Sequence, residues 1–119
     1  MEKKIYKKII MFDIDNTICI TRGSNYQKSK PRIKIIKLIN DLYKKNYYIK
    51  IFTARYMGRN KENSNLVKKK YYKKTFNQLS QWGIKFHKLI MGKPSYDIFI
   101  DDKSYNPKDK KTFSLLNKL

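Results

Sequence analysis

Nine residues of the chain are acidic, and four of them sit in two tight pairs, Asp13/Asp15 and Asp101/Asp102. Each pair directly follows an apolar run, Ile9 to Phe12 in the first case and Ile98 to Ile100 in the second. Two carboxylate clusters facing each other repel unless a hard cation lies between them. Mg²⁺ is the natural candidate, because it takes oxygen ligands from one or two carboxylates, waters and a substrate phosphate. Ordinary turn chemistry, in which Asp and Asn favour turns and helix caps, accounts for one cluster. It does not account for both, together with Thr53 after another apolar run and Lys93 in the setting Gly92-Lys93-Pro94.

The elements that must position these groups are legible in outline. Lys8 to Phe12 reads as a short buried strand ended by the polar stretch Asp13 to Thr17. Pro31 suits the first turn of a helix, and Ile33, Ile36, Ile39, Leu42 and Tyr43 follow at three-to-four spacing until Lys45 and Asn46. Tyr47 to Phe52 is a second strand, followed by Thr53 and the loop Ala54 to Glu62. Asn63 or Ser64 caps a long helix carrying Leu66, Val67, Tyr71, Leu79 and Trp82, with Gly83 as its stop. Phe86 to Met91 makes a third strand and Asp97 to Ile100 a fourth, Asn106-Pro107 marks a turn, and Phe113, Leu115, Leu116 and Leu119 suggest a closing helix. Strands separated by helices call for a mainly parallel sheet with right-handed crossovers, in which ligands bind at the carboxyl ends of the strands. That rule delivers Asp13, Thr53, Lys93 and Asp101 to one rim.

Asp13-Ile14-Asp15-Asn16-Thr17, Thr53, Lys93 and Asp101-Asp102 together resemble the four ordered motifs of the haloacid dehalogenase superfamily of phosphatases. The phrases FDIDNTIC, FTARYMGR and MGKPSYDIFIDDK are similar to a group of small phosphatases assigned to capsule and other surface-polysaccharide biosynthesis. The resemblance implies a Rossmann-like three-layer α/β sandwich. It also implies a reaction: hydrolysis of a phosphomonoester, such as a phosphorylated sugar or small polyol, through an aspartyl-phosphate. Asp13 would be the nucleophile and Asp15 the acid that protonates the leaving alcohol and then activates water. Thr53 and Lys93 would hold the phosphoryl group, and Asn16 would help keep the loop in shape. Mg²⁺ would lie among Asp13, Asp15, Asp101 and Asp102. Arg55 and Arg59, next to Thr53, are candidates for substrate binding, since Arg grips phosphate and carboxylate bidentately, and Asn16 in the first motif is a third candidate. Of the two intervals that commonly hold a cap domain, Ile18 to Pro31 holds only a short loop and Ala54 to Gly92 is used up by one loop, one helix and one strand. The expectation is therefore a single capless domain over residues 1–119 whose bare site admits bulky substrates or borrows a lid from a second subunit.

The 119 residues carry 29 Lys and Arg against the nine acids, a formal charge of +20. Lysine supplies 25 of those cations and is spread along the chain, which fits a general field that attracts small anions better than a dedicated nucleic-acid surface. Two rival readings stay open: a phosphatase acting on polynucleotide ends, and a basic binding module without turnover. No apolar run has the roughly 20 residues of a membrane span, so a cytoplasmic protein is expected. One cysteine, Cys19, excludes an internal disulfide framework and reads as a small packed side chain. His87, inside the third strand, and Trp82, at a helix end, read as structural.

Overall fold

The computed structural model describes residues 4–119. Its elements in chain order are β1 (Ile9–Phe12), β2 (Cys19–Ile20), β3 (Lys30–Pro31), α1 (Ile33–Lys44), β4 (Tyr48–Phe52), α2 (Ser64–Gln81), β5 (Lys88–Ile90) and α3 (Lys110–Asn117). β1, β4 and β5 form a parallel sheet in that order, with Ile9 opposite Tyr48 and Lys50 opposite Lys88. No helix among the described residues is long and apolar enough to cross a membrane.

Side chains alternate across a strand, and burial follows that alternation. Phe12, Ile49, Ile51 and Leu89 are buried on one face, packed with Ile35, Ile36, Ile39 and Leu42 of α1 and Val67 and Leu79 of α2. On the other face Ile9 and Met11 are 63% and 54% exposed. This departs from the expected three-layer sandwich, and topology supplies the reason. Both crossovers step the same way across the sheet, and two right-handed crossovers in one direction place both helices on one face.

The helices end where their chemistry dictates. The side chain of Asn63 accepts a hydrogen bond from Leu66 N at 3.1 Å, making it the cap of α2. Gly83 stops that helix with φ +76°, a region that suits glycine. Pro31 does not open α1 as expected. It lies in β3, paired with Cys19, and the helix starts at Ile33.

Two further expectations fail. The interval Ile18 to Pro31, read as a plain loop, contains the β2–β3 hairpin. The fourth strand does not form: Asp97 to Ile100 joins no sheet, and Ile98 and Ile100 stand 81% and 92% exposed. The connection from β5 is too short to return it to the sheet, because residues 91–96 hold no helix.

Candidate active site

The loop after β1 is a compact turn. The carbonyl of Ile14 accepts from the backbone N–H groups of Thr17, Ile18 and Cys19 at 3.1, 2.8 and 3.3 Å. Ile14 and Ile18 are fully buried and anchor the turn to the core. Asn16, at φ +61°, supplies the left-handed residue it needs, and its side chain accepts from Thr21 N at 3.2 Å. Asn16 therefore shapes the loop.

Asp13 stands at the carboxyl end of β1 with its side chain 36% exposed. Thr17 Oγ1 donates to its Oδ2 at 3.3 Å, and Lys93 Nζ lies 3.8 Å from its Oδ1. Burial pushes the Asp13 carboxyl above its ordinary range, while Lys93, the Ile14 N–H and Thr17 pull the other way. Lys93 is itself buried, donates to Tyr96 Oη at 3.1 Å, and sits over the rings of Phe52, Tyr96 and Phe99 at 5.8, 5.0 and 5.4 Å.

The neighbouring loop is held by backbone. Lys93 N donates to the Thr53 carbonyl at 3.1 Å, and Thr53 N donates to the Ile90 carbonyl at 3.1 Å. Gly92 makes the turn with φ +88°, and a Cβ there would lie 2.9 Å from Ser64 Cβ at the start of α2. The Thr53 hydroxyl accepts from Arg55 N at 3.1 Å, which caps the chain as it leaves β4.

Asp15 has a different environment. Arg55, 2% exposed, donates from Nη2 to Asp15 Oδ1 and from Nε to Oδ2, each at 2.9 Å. Thr21 Oγ1 adds a 2.6 Å bond to Oδ1. The guanidinium also reaches Gln78 and Ser29 and lies over the Tyr26 ring. Arg55 is thus a buried tie between the hairpin and α2, not a substrate ligand. Its grip engages both Asp15 oxygens, which in this arrangement face the guanidinium. Arg59 donates to the Ser24 carbonyl at 2.9 Å, stacks near Tyr26 and Tyr56, and lines a shallow depression of about 360 Å³ whose walls do not include Asp13.

Asp101 and Asp102 are exposed in the stretch beyond β5. Among the described residues, no three His, Cys, Asp or Glu side chains are gathered as a metal ion would require. The expected Mg²⁺ set of Asp13, Asp15, Asp101 and Asp102 is therefore not assembled within one chain. Asp15 is occupied by Arg55, and the late pair is not delivered because its strand is not in the sheet.

Sequence reasoning missed Tyr96, three residues after Lys93, the Arg55 partners Gln78 and Ser29, and Thr21, which donates to Asp15. Cys19 is buried as expected, and burial raises its thiol pKa, so it is no nucleophile. His87 lies between Tyr43 and Tyr48 with centroids at 4.5 and 4.6 Å, and its Nδ1 accepts from Ile49 N at 2.9 Å.

A crystallised structural-genomics target from Vibrio cholerae superposes on the chain with a TM-score of 0.78, covering 93% of this chain and 97% of that one. The fold is shared. At 21% identity the likeness speaks for architecture alone. No protein-family model matches the chain, and no curated protein does.

Proposed function

We propose that the protein is a phosphomonoesterase of the haloacid dehalogenase type, with Asp13 as its nucleophile. The observation that carries this reading is the half-exposed Asp13 carboxylate at a strand's carboxyl end, with the Lys93 ammonium 3.8 Å away. A carboxylate that attacks phosphorus must approach a dianion, and a fixed cation beside it offsets that repulsion. Attack by Asp13 forms an O–P bond and breaks the bond to the alcohol, giving an aspartyl-phosphate. Water then cleaves this intermediate, releasing inorganic phosphate and restoring the carboxylate. Lys93 screens charge in both steps. With Asp15 held by Arg55, the departing alkoxide takes its proton from solvent, so substrates with good leaving groups react fastest.

The substrate class is a phosphorylated sugar or small polyol of polysaccharide assembly, a choice that rests on the phrases FDIDNTIC, FTARYMGR and MGKPSYDIFIDDK. The formal charge of +20 supports capture of small anions. Mg²⁺ has no donor set within a single chain, and no step of this reading passes through it.

Phosphate release from sugar phosphates, polyol phosphates, an aryl phosphate and a 5′-phosphorylated oligonucleotide tests the reading. Release should be fastest on the aryl ester, vanish in Asp13→Asn, and fall roughly 10²–10³-fold in kcat/KM in Lys93→Met. Activity confined to the oligonucleotide and steeply reduced by salt would move the substrate to polynucleotide ends. No release from any ester would favour a binding module without turnover, the reading that the Arg55 grip on Asp15 supports.

A further inference from the structure

We propose that the groove between the tip of the β2–β3 hairpin and α2 is a binding site for an anionic saccharide, a sugar chain that carries carboxylates.

The groove consists of two depressions of about 360 and 240 Å³ that share Gln27 and Lys74 as a common wall. Ligand clefts begin at about 300 Å³, so the pair together is ligand-sized. Asp13 lines neither depression, which separates the groove from the reactive end.

Charge fixes the sign of the ligand. Residues 16–40 and 63–96 contain no Asp or Glu, and the walls are drawn from these segments and from Tyr56 and Arg59. Helical spacing sets Lys70, Lys74, Asn77 and Gln81 in one stripe along α2. Arg59 is exposed yet held in place. Its Nη2 donates to the Ser24 carbonyl, and its guanidinium lies over Tyr26 and Tyr56 at 5.5 and 5.1 Å. The other N–H groups of Arg59 donate to nothing among the described residues. A pre-ordered arginine with free donors is suited to grip a carboxylate.

Amides narrow the kind of anion. Asn77 and Gln81 are exposed and make no side-chain hydrogen bond among the described residues, and Gln27 has only a 3.4 Å bond to Tyr56 Oη. A carboxamide both accepts and donates, which suits the adjacent hydroxyls of a sugar. A bare phosphate or sulfate could use its N–H groups alone. At the far end Trp82 is half-buried and stacks on no other ring among the described residues. The negative face of its indole suits the C–H side of a pyranose.

Single-stranded nucleic acid needs a row of open rings on which successive bases stack. Here the tyrosines are already covered. Tyr56 is buried, stacked on Tyr71 with centroids 3.8 Å apart and overlaid by Arg59, while Tyr26 carries Arg55 and Arg59. One open indole is not such a row.

Trp82 is the chain's one tryptophan, so its fluorescence reports occupancy directly. The intact protein is titrated at physiological salt with a short oligogalacturonate, a neutral maltooligosaccharide of equal length and a single-stranded oligonucleotide of equal charge. The oligogalacturonate should shift Trp82 emission and bind tightest of the three. Arg59→Gln/Lys74→Gln should weaken it roughly tenfold or more, as expected for lost charge-assisted hydrogen bonds. Asn77→Ala/Gln81→Ala, which keeps the charge, should weaken it roughly fivefold and leave the oligonucleotide unaffected. Lys34→Gln/Lys37→Gln removes the same charge from α1, outside the groove, and should change little; circular dichroism checks that each variant is folded. Equal weakening by the α1 pair would reduce the binding to the general field of the protein and overturn the proposal. So would an unmoved Trp82 emission, equal affinity for the neutral sugar, or an oligonucleotide that binds as tightly and loses as much in the amide variant. No readout uses turnover, so failure here and failure of the phosphatase reading are separately visible.

Discussion

The guanidinium of Arg55 clasps both oxygens of Asp15 at 2.9 Å, although the two residues come from loops after different strands. The pair converts a turn beside the nucleophile into a fixed strut, since Gln78 of α2 and Ser29 of the hairpin hold the same guanidinium. Removing one partner of a buried ion pair leaves the other charge uncompensated.

Arg55→Met should therefore destabilise the fold by about 3–5 kcal/mol, read as a lowered urea midpoint at unchanged slope. Arg55→Lys should recover only part of the loss, because one ammonium cannot span both oxygens. A midpoint unchanged in Arg55→Met would show that the clasp carries no stability.

Asp13 strains the fold in the opposite sense. Burial raises its folded-state pKa above the ordinary 3.8, so its contribution is most favourable below that pH and is lost as pH rises through the folded value. At neutral pH the ionised carboxylate is a burden on the native state. Asp13→Asn should melt at a higher temperature than wild type at pH 7, the gap closing as the pH falls below 3.8, while turnover disappears. Equal melting at pH 7 would contradict the direction of the shift.

His87 gives a third handle. Burial, with help from Lys4, lowers its pKa below the ordinary 6.5, and its neutral Nδ1 accepts the Ile49 N–H. A depressed base contributes stability that is complete above 6.5 and is lost as the pH falls through the folded value. Thermal melts between pH 7.5 and pH 5 should show a loss in wild type that His87→Gln lacks, since the amide oxygen can accept without titrating. Parallel profiles would remove His87 from the pH response.

Periodicity revealed the principal elements because each buries a stripe. Ile36, Ile39 and Leu42 mark α1, and Ile49 and Ile51 mark β4 by alternation. Asp13 and Lys93 were legible as a pair because both lie just past the carboxyl ends of strands of one sheet. The β2–β3 hairpin was not, since strands of two residues have no period to read. Arg55 reads in the sequence as a candidate substrate ligand, because its partner Asp15 lies 40 positions away and no local pattern spans that separation. Asp97 to Ile100 has the composition of a strand, but composition does not say which edge a short tether can reach.

Gly92 leaves no room for a side chain between its loop and Ser64 at the start of α2. Any larger residue there would have to push that seam apart, and the loop it would push is the one that carries the ammonium. A bare hydrogen at one position is thereby what lets the crossover helix and the reactive end share a wall.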